Sequence, residues 1–529
     1  MNWIRKSFRS IARLIYYLFV LLIYLSRAAH WGFSHDENQF IAAGQMLADH
    51  GLFPYINYPY THMPYGVLFY AITARLSTYD YLAGRILNAV AWLICSLLIV
   101  YICKLLWRTK SSIVLLIWEF VIIFIFLNHP SMTLIAGEAL NHSLSSLFSL
   151  LALSFFIRFI QENNGSYWTA FWSGICISAA ALIRFNYASL IVVFFFLLLL
   201  YMLVSNPPSI SRSLITFTLG LLAAALPAIS LILLAPNSFF YGNFVYTRLN
   251  TIYYQELHFQ TGMDLGSKIS GFLSHIISSP MDFILYALLI FMGISSFIQY
   301  LRKKSLPDLN KLAVSTFAFT LFLTAFAPTP IQQQYYFAPL PFLIIILALI
   351  GFEVYQKNKF IFYCAILGML IALNPSLRIT NPLFELKYLS NPSQWTPFQV
   401  HDLGEEIKQY VPRGRILTLI PMIPLEAGYD SYPFSVTGPF SWRTSLLLTT
   451  QRRTQYGVTS PEELASLLHK NPPAAILTGF ESPYDGFKRS DPGGLETPFI
   501  DYAKNNNYKP ITLAASFVQR PITLWVKVP

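Results

Sequence analysis

The stretch GFSHDENQFIAAGQM (residues 32–46) decides how this chain is read. It follows the apolar run 11–27 and sets Ser34, His35, Asp36 and Glu37 side by side where a chain would leave a membrane. An acidic pair at that point starts a helix, performs chemistry, or does both. Composition settles the setting first. Of 529 residues, 55% are hydrophobic and 12% charged, about half the charged share of an ordinary soluble domain, and mean hydropathy is +0.50. The chain reads as a polytopic α-helical membrane protein.

Apolar stretches of roughly span length lie near 11–27, 86–106, 112–128, 142–160, 168–184, 188–204, 213–234, 282–300, 311–327, 337–352 and 358–374. They predict about eleven transmembrane helices, several a little short of the ~20 residues of a full crossing. Basic residues precede the first stretch and no small-residue cleavage site follows it, so it reads as a retained helix. The net charge of +11 is not the footprint of nucleic-acid binding. Lys and Arg concentrate in the N-terminal arm, in KLLWRTK (104–110), near Arg158 and Arg212, in LRKKSLPDLNK (301–311) and in EVYQKNK (353–359). That excess follows the positive-inside rule. It places the N-terminus in the cytoplasm of a cell inner (plasma) membrane protein, with the basic residues against anionic membrane lipids.

Two external loops are long, 28–85 and 235–281, and a tail of about 150 residues starts near Asn374 with soluble composition. We therefore divide the chain into a transmembrane catalytic part, 1–375, and a small C-terminal α/β extracytoplasmic domain, 376–529. In that domain GRILTLIP (414–421), PAAILTGF (473–480) and ITLWVKVP (522–529) read as strands, and SPEELASLLHKN (460–471) as a helix capped by Ser460. Cys95, Cys103, Cys176 and Cys364 all lie in or beside predicted spans, which offers no disulfide framework and no C-x-x-C zinc site.

The chemistry is located by asking which polar groups a membrane rejects, because ionisable residues at membrane depth are costly and tend to face a cavity. Asp36 and Glu37 follow the first span, Glu138 and His142 precede the fourth, Arg184 ends the fifth, Arg248 and Lys268 lie in the second long loop, and PTPIQQQYYFAPLP (328–341) precedes the tenth. Under the charge-derived topology all reach the outer side. Each also has an ordinary role. Ser34-x-x-Glu37 fits a capping box, before a short interfacial helix with Phe40, Ile41, Gly44, Leu47 and Ala48 on one face and Gly51 at its end. His62 fits a loop histidine bonded to backbone. Glu138 and His142, four apart, fit a pair on one helix face, and Arg184 a snorkelling cation. Glu119, in the other half of its span, fits interhelical hydrogen bonding, and QQQYYFAPLP an aromatic belt. In the tail, ESPYDG (481–486) and FSWRTSLLL (440–448) are acceptor-side surfaces or packing elements.

An acidic pair after the first span, then a helix ending in Gly and FPYINYPYTHMPYGVLFYAITA (53–74), resembles the first external loop of the GT-C glycosyltransferases. The likeness is to the bacterial relatives of protein O-mannosyltransferases and aminoarabinose transferases. GEALNHSLSSLFSLLALSFFIRF (137–159), GICISAAALIRFNYASLIVV (174–193) and QQYYFAPLPFLIIILAL (333–349) are similar to the second external loop and following span, a small-residue span ending in a basic residue, and a late polar-aromatic span start. The resemblance implies inverting transfer of one sugar from a polyprenyl-phosphate carrier to a lipid, glycan or protein acceptor. It implies Asp36 as the main catalytic residue, Glu37 beside it, and Glu138 as a second acidic position that places acceptor or a divalent cation (Mg or Mn) with Asp36. Here the chain departs from the family, offering EALNH where many relatives have Asp, so that role falls to Glu138, Asn141 or His142.

Elementary chemistry leads to the same groups. Inverting transfer needs a carboxylate to receive the acceptor proton, and cations or hydrogen-bond donors to hold the departing phosphate. Asp36 suits the first need. His62, His142, Arg184, Asn186, Arg248, Gln334 and Tyr335 are the substrate-binding candidates. Asp at a helix N-terminus is stabilised as the anion and is a weak base for that reason. A ligase of preformed lipid-linked oligosaccharide fits the same features. A transporter would instead need midplane charges and two matching halves.

Overall fold

In the computed structural model the described residues are 2–107, 113–161, 166–205, 210–259, 261–303, 308–373, 382–481, 494–515, 517–518 and 521–528. The chain opens with α1 (Asn2–His30), followed by α2 (His35–His50) and α3 (Tyr65–Leu76). Next come α4 (Asp80–Trp107), α5 (Ile113–Asn128), the short α6 (Pro130–Ile135), α7 (His142–Gln161) and α8 (Tyr167–Ile183). Then follow α9 (Ser189–Ser205), α10 (Ile210–Leu234), α11 (Pro236–Phe240), α12 (Tyr246–Glu256) and α13 (Leu265–Ser278). The helical part finishes with α14 (Pro280–Lys303), α15 (Leu309–Ala325), α16 (Leu340–Lys357) and α17 (Lys359–Ala372).

All eleven apolar stretches fall on helices. Among the described residues six segments, in α1, α4, α7, α10 and α14 and from Gln333 through α16, are long and apolar enough to cross a membrane. The other five stretches lie on shorter helices, from 14 residues in α17 to 17 in α8. This is a multi-pass architecture. Its outer faces carry large apolar side chains such as Phe8, Leu14 and Leu18 on α1, while Trp92, Trp118, Phe126 and Phe337 fill the interior. With lipid as solvent, burial of apolar surface does little to hold helices together, so close packing and interhelical hydrogen bonds matter. Gly174 of α8 and Gly220 of α10 illustrate the first: an added Cβ at either would lie 2.3 or 2.2 Å from a carbonyl oxygen of the facing helix. The second runs through α3, α4 and α7, where the Asn88 amide donates to Tyr70 Oη at 2.7 Å and Ser143 donates to Asn88 Oδ1. At the opposite end of the bundle, Glu119 accepts from Arg13 at 3.1 Å and pairs with Lys104 at 2.8 Å, an interhelical role.

The long connections are themselves helical. Residues 28–85 contain α2 and α3, and 235–281 contain α11 to α13. Gly51, in the left-handed region at φ 64°, ends α2 as its sequence predicts.

Residues 415–527 hold a five-stranded mixed sheet in the order β2-β1-β3-β5-β4, made of β1 (Arg415–Leu417), β2 (Asp430–Ser431), β3 (Ala475–Thr478), β4 (Tyr508–Leu513) and β5 (Ile522–Lys527). β1 runs parallel to β2 and β3, while β5 is antiparallel to β3 and β4, with Ile476 opposite Trp525. The expected strand at 414–421 is shorter than its apolar run. Thr418 Oγ1 accepts the Ile420 N–H at 3.1 Å and turns the chain out of the ladder. The helix expected at 460–471 is Pro461–Lys470, its first turn closed by Glu463, which accepts the Ser460 N–H at 3.2 Å.

This region is seated on α2. Phe40, Ile41, Tyr70 and Tyr81 share one apolar cluster with Val400, Ile416, Ile423 and Leu524. Asn38 Oδ1 accepts the Met422 N–H at 2.9 Å, and Glu426 accepts the Tyr81 N–H at 3.0 Å. The helix bearing the acidic pair is therefore clamped between the bundle and the sheet region.

Candidate active site at the head of α2

Glu37 and Asp36 separate completely in their surroundings. Glu37 is fully buried, and its Oε1 accepts from Arg85 Nε at 2.9 Å and from the Ala139 N–H at 2.6 Å. Oε2 accepts from Arg85 Nη2 at 2.7 Å and from the Tyr81 hydroxyl at 2.6 Å. The remaining Arg85 donors reach the carbonyls of Ala28 (3.1 Å), Trp31 (2.8 Å) and Gly32 (2.7 Å). The Ser34–Glu37 capping box expected from sequence does not form: Ser34 makes no side-chain capping bond, and only the backbone contact from Glu37 N to Ser34 O, 3.3 Å, remains. The physical reason is the buried guanidinium, because a bidentate charge-assisted pair outcompetes a single bond to a backbone N–H.

Asp36, one residue earlier, keeps its side chain 31% exposed. His35 Nε2 lies 3.4 Å from Asp36 Oδ1, and His35 Nδ1 lies 3.2 Å from Glu481 Oε1, so the imidazole sits between two carboxylates. Burial alone would lower His35, but Glu481 and Asp36 raise it well above its usual value. Burial alone would raise Asp36; the His35 hydrogen bond and charge, with Arg443 and His62, hold it below the usual carboxylate range.

Glu138 does not share a helix face with His142, because residues 136–141 form an irregular turn and α7 begins at His142. The expected Glu138–His142 pair is therefore replaced by two separate contacts. Glu138 Oε1 accepts from Trp31 Nε1 at 3.2 Å. Burial, then the carboxylates of Glu37 and Asp36, push Glu138 up to about 8 against the opposing effects of Arg85 and Trp31. His142 is buried, with Arg184 Nη1 2.7 Å from its Nδ1 and 3.2 Å from Asn141 Oδ1. Arg184 thus turns into the site instead of snorkelling, and its guanidinium lies 5.6 Å from the Tyr335 ring centre.

His62 packs its ring on Phe40 at 4.9 Å, and among the described residues its backbone carbonyl alone is hydrogen-bonded, to the Tyr55 hydroxyl. Burial and the Arg184 charge push His62 down to about 4 against an offset from Asp36. Asn186 follows Arg184 and has a buried Oδ1 without a hydrogen-bond partner among the described residues. Gln334 is half-buried beside Tyr335. Arg248 lies on an exposed face of α12, and no contact among the described residues ties it to this cluster. Lys268 is spent on the bundle, donating to Phe326 O at 2.9 Å and Thr329 Oγ1 at 2.7 Å.

Two contributors come from the C-terminal region, Glu481 and Arg443, the latter within the FSWRTSLLL segment. Of ESPYDG only Glu481 is among the described residues. Arg85 too is unmarked by motif; its single signal is a lone Arg inside the apolar head of α4. At the two carboxylates expected to hold a divalent cation, Asp36 faces His35 and Glu138 accepts from Trp31, and among the described residues no group of three or more His, Cys, Asp or Glu is placed to hold a metal.

No protein-family model matches the sequence, and no curated protein matches it. Among solved structures the chain is similar to ArnT from Cupriavidus metallidurans bound to undecaprenyl phosphate, with a TM-score of 0.59 and 13% identity over 97% of each chain. The apo state of the same ArnT gives 0.52 at 13% identity, over 99% of this chain and 98% of ArnT. The apo oligosaccharyltransferase of Archaeoglobus fulgidus gives 0.50 at 12% identity, over 90% of this chain and 70% of its own. Likeness at such identities establishes the fold.

Proposed function

We propose that this chain, which has the GT-C glycosyltransferase fold, transfers a single sugar from a polyprenyl-phosphate carrier to an acceptor with inversion at the anomeric carbon. The observation that carries the reading is the contrast within one acidic pair: Glu37 is consumed by Arg85, while Asp36 keeps a solvent-reachable carboxylate among Arg184, Arg443, His35 and His62. The undecaprenyl phosphate in the ArnT structure supports a lipid-phosphate donor. The basic short loops support an extracytoplasmic site, with the N-terminus cytoplasmic.

In this reading the acceptor hydroxyl attacks the anomeric carbon as the bond from that carbon to the carrier phosphate breaks. The hydroxyl proton passes to Asp36, and the carrier leaves as a phosphate anion held by Arg184, with Asn186, Gln334 and Tyr335 lining its approach. His62, neutral at physiological pH, can accept or donate a hydrogen bond to the sugar without adding charge. A carboxylate held below its usual range is a weak base, so it takes the proton late, once the glycosyl bond is largely broken. Glu138, protonated at neutral pH, serves as a hydrogen-bond donor toward the acceptor. No step is routed through a divalent cation.

The oligosaccharyltransferase likeness keeps transfer of a preformed glycan as a second reading. Both readings meet the same test. Asp36→Asn and Asp36→Ala should leave abundance in membranes unchanged and lower transfer by about a hundredfold or more. Mass spectrometry of lipid-linked sugars and envelope glycans in a deletion strain complemented with each variant reads this out, and the size of the accumulating donor separates one sugar from many. Full transfer by Asp36→Asn would falsify the assignment.

A further inference from the structure

Arg443 is a cation with no carboxylate in ion-pair contact among the described residues. It lies in the short helix Pro439–Thr444, half-buried, with its guanidinium carbon 4.7 Å from the Phe440 ring centre and 5.5 Å from those of Tyr253 and Tyr254. Nη2 donates to the Tyr246 hydroxyl at 2.9 Å, and Nε is buried with no hydrogen-bond partner among the described residues. Three aromatic faces fix the plane of the fork and strip water from it, an arrangement that suits Arg far better than Lys.

The fork is also placed at the site. Phe440, which carries the guanidinium on one side, meets the His35 ring edge-on at 5.7 Å. His35 in turn contacts Asp36 and Glu481. Among the described residues Glu37 pairs with Arg85, Asp36 and Glu481 flank His35, and neither Arg184 nor Arg443 has a carboxylate in ion-pair contact. A partly desolvated guanidinium without a carboxylate partner is costly unless an anion completes it, and a planar fork with an unused N–H matches phosphate geometry.

We infer that Arg443, supplied by the C-terminal region, is a substrate-binding residue that takes a phosphate-class anion beside Asp36. This rests on the proposed transfer from a phosphate-linked donor and extends it, since it assigns the C-terminal region a part of the binding site. Two substrates can bring that anion: the polyprenyl carrier, shared between Arg184 and Arg443, or an anionic acceptor, with one guanidinium for each substrate.

Equilibrium binding to the full chain in lipid nanodiscs separates these sources without requiring turnover. Undecaprenyl phosphate and undecaprenol are titrated against wild type, Arg443→Ala and Arg443→Lys. Inorganic phosphate is then titrated against each protein saturated with undecaprenyl phosphate. A carrier source predicts that Arg443→Ala weakens undecaprenyl phosphate by about tenfold or more while undecaprenol is unchanged. An acceptor source predicts unchanged carrier binding, with the saturated wild type taking up inorganic phosphate and Arg443→Ala failing to do so. Arg443→Lys should fall between the two, since it keeps the charge and loses the fork; it also carries the test if the alanine variant does not fold. Equal binding by wild type and both variants in both titrations overturns the inference. Failure of wild type to bind undecaprenyl phosphate strikes the donor assignment instead, and the inorganic-phosphate titration, run on the carrier-free proteins, then decides Arg443 alone.

Discussion

Arg85 clasps Glu37 through two parallel bonds, Nε to Oε1 at 2.9 Å and Nη2 to Oε2 at 2.7 Å, and neither side chain is exposed. Through Tyr81 and the Ala139 N–H the same carboxylate ties α2 to α4 and to the turn before α7. Removing one member of a buried pair strands the other charge, at a cost of about 3–5 kcal/mol. Glu37→Gln and Arg85→Met should therefore each lower the thermal midpoint of the detergent-solubilised protein and its yield. The double variant should recover part of the loss. A Glu37→Gln protein as stable as wild type but inactive would instead move Glu37 into the chemistry.

Glu138 gives a pH-dependent expectation. Its folded value of about 8 lies above the ordinary 4.5, so the folded state retains a proton that the unfolded chain releases. The associated stability is complete below about 4.5 and is lost as pH rises through 8. Glu138→Gln removes that dependence. The difference in thermal midpoint, variant minus wild type, should grow as pH rises from 5 to 8; a difference independent of pH would show that Glu138 ionises normally.

Packing beneath the site gives a third expectation. A Cβ on Gly44 of α2 would lie 2.6 Å from Tyr70 Cβ and 2.7 Å from the Tyr70 carbonyl carbon, and the backbone atom cannot swing aside as a flexible side-chain end could. Gly44→Ala should cost about 1–3 kcal/mol through forced separation of α2 from α3. Because α2 carries Asp36, transfer activity should fall with stability, whereas Gly32→Ala, which meets nothing within 4 Å, should leave the thermal midpoint close to wild type.

The helices were legible because each apolar run exceeds what a soluble core element needs, and each of the eleven lies on a helix. The sheet was legible only in part. β4 carries Pro510 and is exposed at Lys509, Pro510 and Thr512, with no period-two pattern, because it is an edge strand, and β2 has two residues, too few for any periodicity. At the site, the polar stretch after the first span pointed to the head of α2, and the structure brings His62, Glu138, His142 and Arg184 around it. What sequence spacing could not show is which carboxylate is already taken. That depends on Arg85, which reads like any basic residue at a span head; the charge of Arg443 likewise acts on Asp36 only through the tertiary fold.

Arg184 and Arg248 look alike in sequence, each a lone basic residue among aromatic and apolar neighbours, yet their surroundings predict opposite outcomes. Arg184 directs Nη1 to His142 and Asn141 while its plane faces Tyr335. Arg248 lies on an exposed face. Lys at 184 would keep the charge but has no planar face to lay on the Tyr335 ring while it donates to His142 and Asn141. Arg184→Lys should therefore reduce transfer by about tenfold to a hundredfold, with the loss largest at low donor concentration if Arg184 holds the carrier phosphate. Arg248→Ala should change transfer by no more than about twofold, as expected for an exposed side chain away from any ion-pair network. Transfer assays in membranes at matched abundance, run across donor concentrations, distinguish the two. A larger loss at Arg248 than at Arg184 would place the phosphate on the α12 side of the site and not between α7 and α16.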